Sequence, residues 1–292
     1  MTDAVRAIAD AVLYEGYVLW PYRSSALKNQ RRWTFGGVFP EAHSALHPDD
    51  RCAMRAECLL EGGDPAGVEV TVRFLHVVRR EAREGAGYDS WDEATERELA
   101  PGPIDIPAGC ERDGAIMRSW EALAGAIDVH AEPVGRGVTR VSVEVVNRTP
   151  WRGDDREQAL RRAFCSTHAV LRAREGAFAS LTDPPEHLRT AAAECRNEGV
   201  WPVLVGEPGA RDTVLASPLI LEDHPQVAPE SQGDLFDGGE IDQMLVLNIL
   251  ALTDEEREAM RAADPRTREI LERTEALTPE QLMRLHGRLT AR

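Results

Sequence analysis

Val68-Glu69-Val70-Thr71-Val72-Arg73-Phe74-Leu75-His76-Val77-Val78 is the stretch on which the fold turns. Val68, Val70, Val72 and Phe74 alternate with Glu69, Thr71 and Arg73. In extended chain this puts apolar side chains on one face and polar ones on the other, the mark of a half-buried strand. Upstream, Ala53 to Leu60 reads as a second strand, closed by the turn-forming Glu61-Gly62-Gly63-Asp64-Pro65. Downstream, Ile127 to Glu132 and Val138 to Asn147 pair around Pro133-Val134-Gly135-Arg136-Gly137, with Val141, Val143 and Val145 on one side. Thr167 to Leu181 is extended, broken at Arg174-Glu175-Gly176. Val200 to Val205 and Thr213 to Leu221 form a hairpin around Glu207-Pro208-Gly209-Ala210, and Ile241 to Leu252 reads as a further strand. Strands that follow one another by hairpins predict mostly antiparallel sheet.

Helical spacing occurs elsewhere. Val5, Ile8, Ala9 and Val12 share one face of a helix over Asp3 to Leu13. Glu81 to Leu99 is charged enough for a loop or an exposed helix, and Gly114 to Ala124 for a short helix. Asp155 to Phe164 is periodic, with Asp154 or Asp155 as N-cap, and Pro185 to Asn197 is closed by Gly199. Near the C-terminus Thr253-Asp254-Glu255-Glu256 has the form of a capping box. Asp264-Pro265 and Thr278-Pro279-Glu280-Gln281 repeat the start signal, with proline in the first helical position. The expected class is therefore α+β: mostly antiparallel sheet, helices packed on one side, and a short helical tail. A weak boundary at Pro150-Trp151-Arg152-Gly153 would divide residues 1–150 from 151–292, or lie within one continuous domain.

Charge narrows the function classes. Fifty acidic residues stand against 34 basic ones in 292, a formal charge of −16, which repels a phosphate backbone and argues against nucleic acid as partner. Cys52, Cys58, Cys110, Cys165 and Cys195 are odd in number and widely spaced, a poor disulfide or zinc framework. The first residues carry charge and no apolar core of a signal peptide. The longest apolar run, Met244 to Leu252, falls far short of the ~20 residues that span a bilayer. A cytoplasmic protein without membrane insertion is expected. No G-x-S-x-G, P-loop, dinucleotide or H-E-x-x-H pattern is present, so the usual hydrolase, nucleotide and metalloprotease signals are missing.

The densest candidate is the segment from Tyr14 to Pro40. It holds Tyr14, Tyr17, Trp20, Tyr22, Trp33, Phe35 and Phe39 beside Arg23, Lys28, Arg31 and Arg32, in a chain only 5% aromatic and acidic overall. Rings and guanidinium groups dominate binding hot spots, so Tyr14, Glu15, Tyr17, Tyr22, Arg23, Lys28, Arg32 and Trp33 are the candidate partner or ligand residues. The competing reading buries the rings in a core and pairs the cations with acids. His43, His47, Cys52 and Cys58 form a weaker metal candidate, disfavoured by Pro48 and by loose spacing. Asp234 to Asp242 is acidic and glycine-rich without the spacing of an EF-hand. Cys165-Ser166-Thr167-His168 puts a thiol, hydroxyls and an imidazole in a row, but adjacency in sequence does not orient a base on a nucleophile. No cofactor and no metal are expected.

Several strings are shared in wording with a known group: Leu13-Tyr14-Glu15-Gly16-Tyr17, Pro21-Tyr22, Lys28-Asn29, Arg32-Trp33, Phe35-Gly36, Glu57-Cys58-Leu59 and Val72-Arg73-Phe74-Leu75. So are Gly233 to Gly238, Glu240-Ile241-Asp242 and Leu252 to Glu256. The chain resembles, along most of its length, uncharacterised proteins encoded beside nickel–iron hydrogenase genes in actinobacteria and some other bacteria. The resemblance implies a non-enzymatic accessory or assembly role, with a hydrogenase subunit or maturation factor as partner. It brings no catalytic residues with it. The alternative is a small anionic-ligand binder, or an enzyme with its site in Tyr14 to Phe39.

Overall fold

The computed structural model describes residues 3–14, 36–82, 91–226, 249, 252–261, 268, 271–272 and 274–276. Helix α1 is Asp3–Tyr14 and α2 the single turn Glu41–Ser44. Eight strands follow: β1 Ala53–Glu61, β2 Val68–Ala82, β3 Trp91–Leu99, β4 Gly102–Ile106, β5 Gly109–Asp113, β6 Ile116–Trp120, β7 Leu123–Gly135 and β8 Val138–Asn147. Next come α3 Arg156–Leu160, β9 Cys165–Ala173, β10 Ala177–Phe178, α4 Arg189–Ala193, β11 Trp201–Leu204, β12 Thr213–Ser217 and, with the same numbering continued, α5 Asp254–Arg261.

Two antiparallel sheets face each other. One has the order β10-β1-β8-β7-β4; the other runs β11-β12-β9-β2-β6-β5, with β3 on the opposite edge of β2. Their facing sides supply one core: Met54, Ala56 and Cys58 from β1, Val141, Val143 and Val145 from β8, Val70, Val72 and Phe74 from β2, Ala169 and Leu171 from β9. Phe74 and Phe164 stack at 4.8 Å within it. Alternation along each strand produces this directly, because every second side chain of either sheet turns to the other sheet. Strands on both sides of Pro150–Gly153 belong to this core, since β9 pairs with β2 and β10 with β1.

The helices lie on both outer faces rather than on one side. Val5, Ile8, Ala9 and Val12 of α1 pack on Val170, Val203 and Leu215. Leu13 joins Ala159 and Leu160 of α3 over Leu75, Val77 and Cys165 of the same sheet. The α4 region instead covers Leu59, on the outside of the other sheet. Outer-face apolar residues on both sheets need a lid, and helices supply it at these three patches.

Three local expectations are corrected. Trp91–Leu99 is a strand, not loop or helix: it pairs with β2 over nine residues, and Glu96 and Glu98 meet Arg73 across the strands. Cross-strand pairing outweighs the helical propensity of Glu and Arg, and the charges keep this edge from pairing with another chain. Ile116–Trp120 is likewise a strand, not a helix. Gly114 and Ala115 form a two-residue turn between β5 and β6, and Gly114 takes φ +57°, which glycine adopts without strain. Ile249 is helical, against the strand expected over Ile241 to Leu252; most of that stretch is outside the described residues. The helix starts at Asp155 and after Thr253 stand as read. Asp155 Oδ1 accepts from Glu157 N at 2.9 Å, and Arg257 N donates to Thr253 O at 2.9 Å.

Asn147 fastens the entry segment to the sandwich. Fully buried, it donates from Nδ2 to Val38 O (2.8 Å) and Arg162 O (2.7 Å) and accepts from Thr149 N (2.9 Å). Asn147→Ala strands these groups without water and should cost about 2–4 kcal/mol in urea unfolding. Asn147→Asp should be worse at neutral pH, since a carboxylate has no proton for either carbonyl. A loss under about 0.5 kcal/mol would show that the staple is idle.

Candidate functional site

Residues directly opposite one another in a sheet share a face. In the seven-stranded sheet, Trp201 of β11 stands opposite Ser217 of β12, and His168 of β9 opposite Arg73 of β2, which in turn faces Glu98 of β3. The β12–β9 register, continued by one residue beyond Ala216 and Ala169, puts Ser217 beside His168. These five positions form one transverse row on the outer face. The neighbouring row runs Val203–Leu215–Val170–Thr71, and its Val203, Leu215 and Val170 pack under α1.

The inner end of the row is polar and closed. Arg73 is 1% exposed and donates to Asp10 Oδ1 of α1 at 2.5 Å; Glu96 lies at 3.3 Å and Glu98 at 3.5 Å. Arg6 of α1 adds a second guanidinium, 3.3 Å from Glu98. Arg73 therefore meets three carboxylates, an arrangement hostile to an additional anion. His168 is fully buried and its Nδ1 lies 2.9 Å from the Ser166 carbonyl. A carbonyl only accepts, so Nδ1 carries the proton and Nε2 the lone pair. Burial first, and the Arg73 charge in addition, pull His168 down to about 4 against the opposing pull of that backbone bond.

Ser166 shapes this corner. Arg73 pairs with His168 but Leu75 pairs with Cys165, so Ser166 and Thr167 together oppose Phe74 in a β-bulge. Ser166 has φ +52°, the left-handed conformation that glycine adopts at this place in a bulge. Serine there is strained, and such strain collects at functional sites. Its Oγ is buried without a partner among the described residues. Ser166→Gly removes the strain and the unpaired hydroxyl together, and should stabilise the fold by about 1 kcal/mol; a variant with a lower melting temperature than the parent would contradict this.

The other end of the row is open. Trp201 is 44% exposed and Ile220, three residues beyond Ser217, is 79% exposed. Gly36 packs in the same corner. Thr167 N donates to Gly36 O at 3.0 Å, and a Cβ on Gly36, whose φ is +60°, would meet Pro218 at 2.5 Å. The free edge of β11 is blocked: Pro202 has no N–H, and Leu204 bonds to Asp223 Oδ1 through N and to His224 N through O. A partner at this corner would meet side chains rather than extend the sheet.

The residues singled out from sequence fare unequally. Tyr14 ends α1; Glu15, Tyr17, Tyr22, Arg23, Lys28, Arg32 and Trp33 lie outside the described residues, as does Asp234 to Asp242. Phe39 is buried and stacks on His43 at 5.2 Å, with the Arg156 guanidinium over the Phe39 ring, 5.1 Å from its centroid. His43 is buried; its Nε2 meets Asp50 Oδ2 at 2.9 Å, and Arg156 holds the same carboxylate through two 2.8 Å bonds. His47 stacks on His43 at 4.5 Å instead of sharing a ligand with it. No group of three or more His, Cys, Asp or Glu able to hold a metal occurs among the described residues. Cys165 packs in the apolar cluster of Phe39, Trp151 and Leu160. Arg73 was not among the residues singled out from sequence, whereas His168 was part of the Cys165–His168 string. The available signal was a charged or polar side chain inside an otherwise apolar strand.

No protein-family model matches this chain, and comparison with curated proteins yields no match. None of the described helices is long and apolar enough to cross a membrane.

Proposed function

We propose that this chain is a non-enzymatic accessory or assembly protein of a nickel–iron hydrogenase system, acting in the cytoplasm by protein–protein contact. The shared strings quoted above motivate the system. The observation that carries the mode of action is the exposure of Trp201 and Ile220, near the corner where Gly36, within the aromatic and basic segment, packs on Pro218. An exposed tryptophan on a rigid strand end makes a strong anchor, because it buries much area with little ordering cost. The C-terminal helical tail, of which α5 is a described part, would be a second contact region.

Affinity purification from the native host should recover a hydrogenase subunit or maturation factor. Trp201→Ala combined with Ile220→Asp should lower that recovery by at least about tenfold, the scale of a hot-spot loss. Recovery of neither protein by the parent chain, or equal recovery by the double variant, overturns the reading.

A further inference from the structure

We draw no further inference here: the strongest candidate, the outer face of the five-stranded sheet where Asp128 of β7 stands opposite Glu144 of β8 beside the half-buried Ala53 and Val146, is a pair of acidic residues on a sheet face, and nothing in the structure shows what covers it.

Discussion

Between pH 6.5 and about 4 the fold is expected to lose stability steeply, before most of its carboxylates titrate. His76 and His168 are buried, and each is pushed from 6.5 down to about 4. For His76 burial is the larger cause and the Arg97 guanidinium the second, with a backbone bond from Glu121 opposing. Arg97 Nη2 lies 3.4 Å from His76 Nδ1, which therefore carries the lone pair. In the folded chain both rings stay neutral through this window, whereas in the unfolded chain they protonate near 6.5. The unfolded state thus binds more protons as pH falls, and stability drops by up to about 1.4 kcal/mol per pH unit for each histidine. The full contribution is present above 6.5 and gone by about 4. Asp50 and Glu61, held low by their Arg and His partners, add their losses only below their ordinary values of 3.8 and 4.5. Urea unfolding at a series of pH values measures the slope. His76→Asn with His168→Asn, which keep a polar atom near each Nδ1, should flatten it; an unchanged slope in that pair would assign the acid sensitivity elsewhere.

Glu93→Ala should be the most damaging single substitution at the end of the sandwich. Glu93 is 3% exposed, with Arg118 Nε donating to Oε2 at 2.7 Å. Arg80, fully buried, brings Nε within 3.2 Å of Oε1, close enough for charge attraction though not aligned as a hydrogen bond. The anion holds Arg118 above its ordinary value. Both guanidinium groups come from strands β2 and β6, so Glu93 of β3 ties three strands at one point. Removing one partner of a buried ion group leaves the others desolvated and uncompensated, at a cost of about 3–5 kcal/mol. Glu93→Gln keeps the shape but not the charge and should recover less than half of that. Replacing Arg80 and Glu93 together by apolar residues of similar volume should cost less than Glu93→Ala alone. Denaturant midpoints decide it, and a Glu93→Ala loss below about 1 kcal/mol would mean that water already reaches the group.

The strands with a two-residue period were legible. Val68 to Val78 and Val138 to Asn147 carry alternation that survives whatever they pack against, and the valine hairpins imply antiparallel neighbours. Trp91 to Leu99 was not legible, because its inward residues are Glu93 and Arg97, charges that read as solvent-facing until β2 and β6 supply partners. Ile116 to Trp120 was hidden for a related reason: its strand character rests on the Gly114 turn and on pairing with β2 and β5, both beyond its own residues. The candidate site divides in the same way. Ser166 and His168 stood out as a string, but Arg73, ninety-five positions away from His168, joins them only through the β2–β9 register.

Composition and periodicity alone determined that this chain is acidic, sheet-rich and antiparallel, with helix starts after Asp155 and Thr253. Tertiary structure alone decided that the sheets stack face to face, that helices cover both outsides, and which polar residues become neighbours. The reason is range. Alternation and capping act over a few residues and are written in the local chain, whereas register and burial depend on segments far apart in sequence. A buried arginine and an exposed one look alike until the opposite strand is in place.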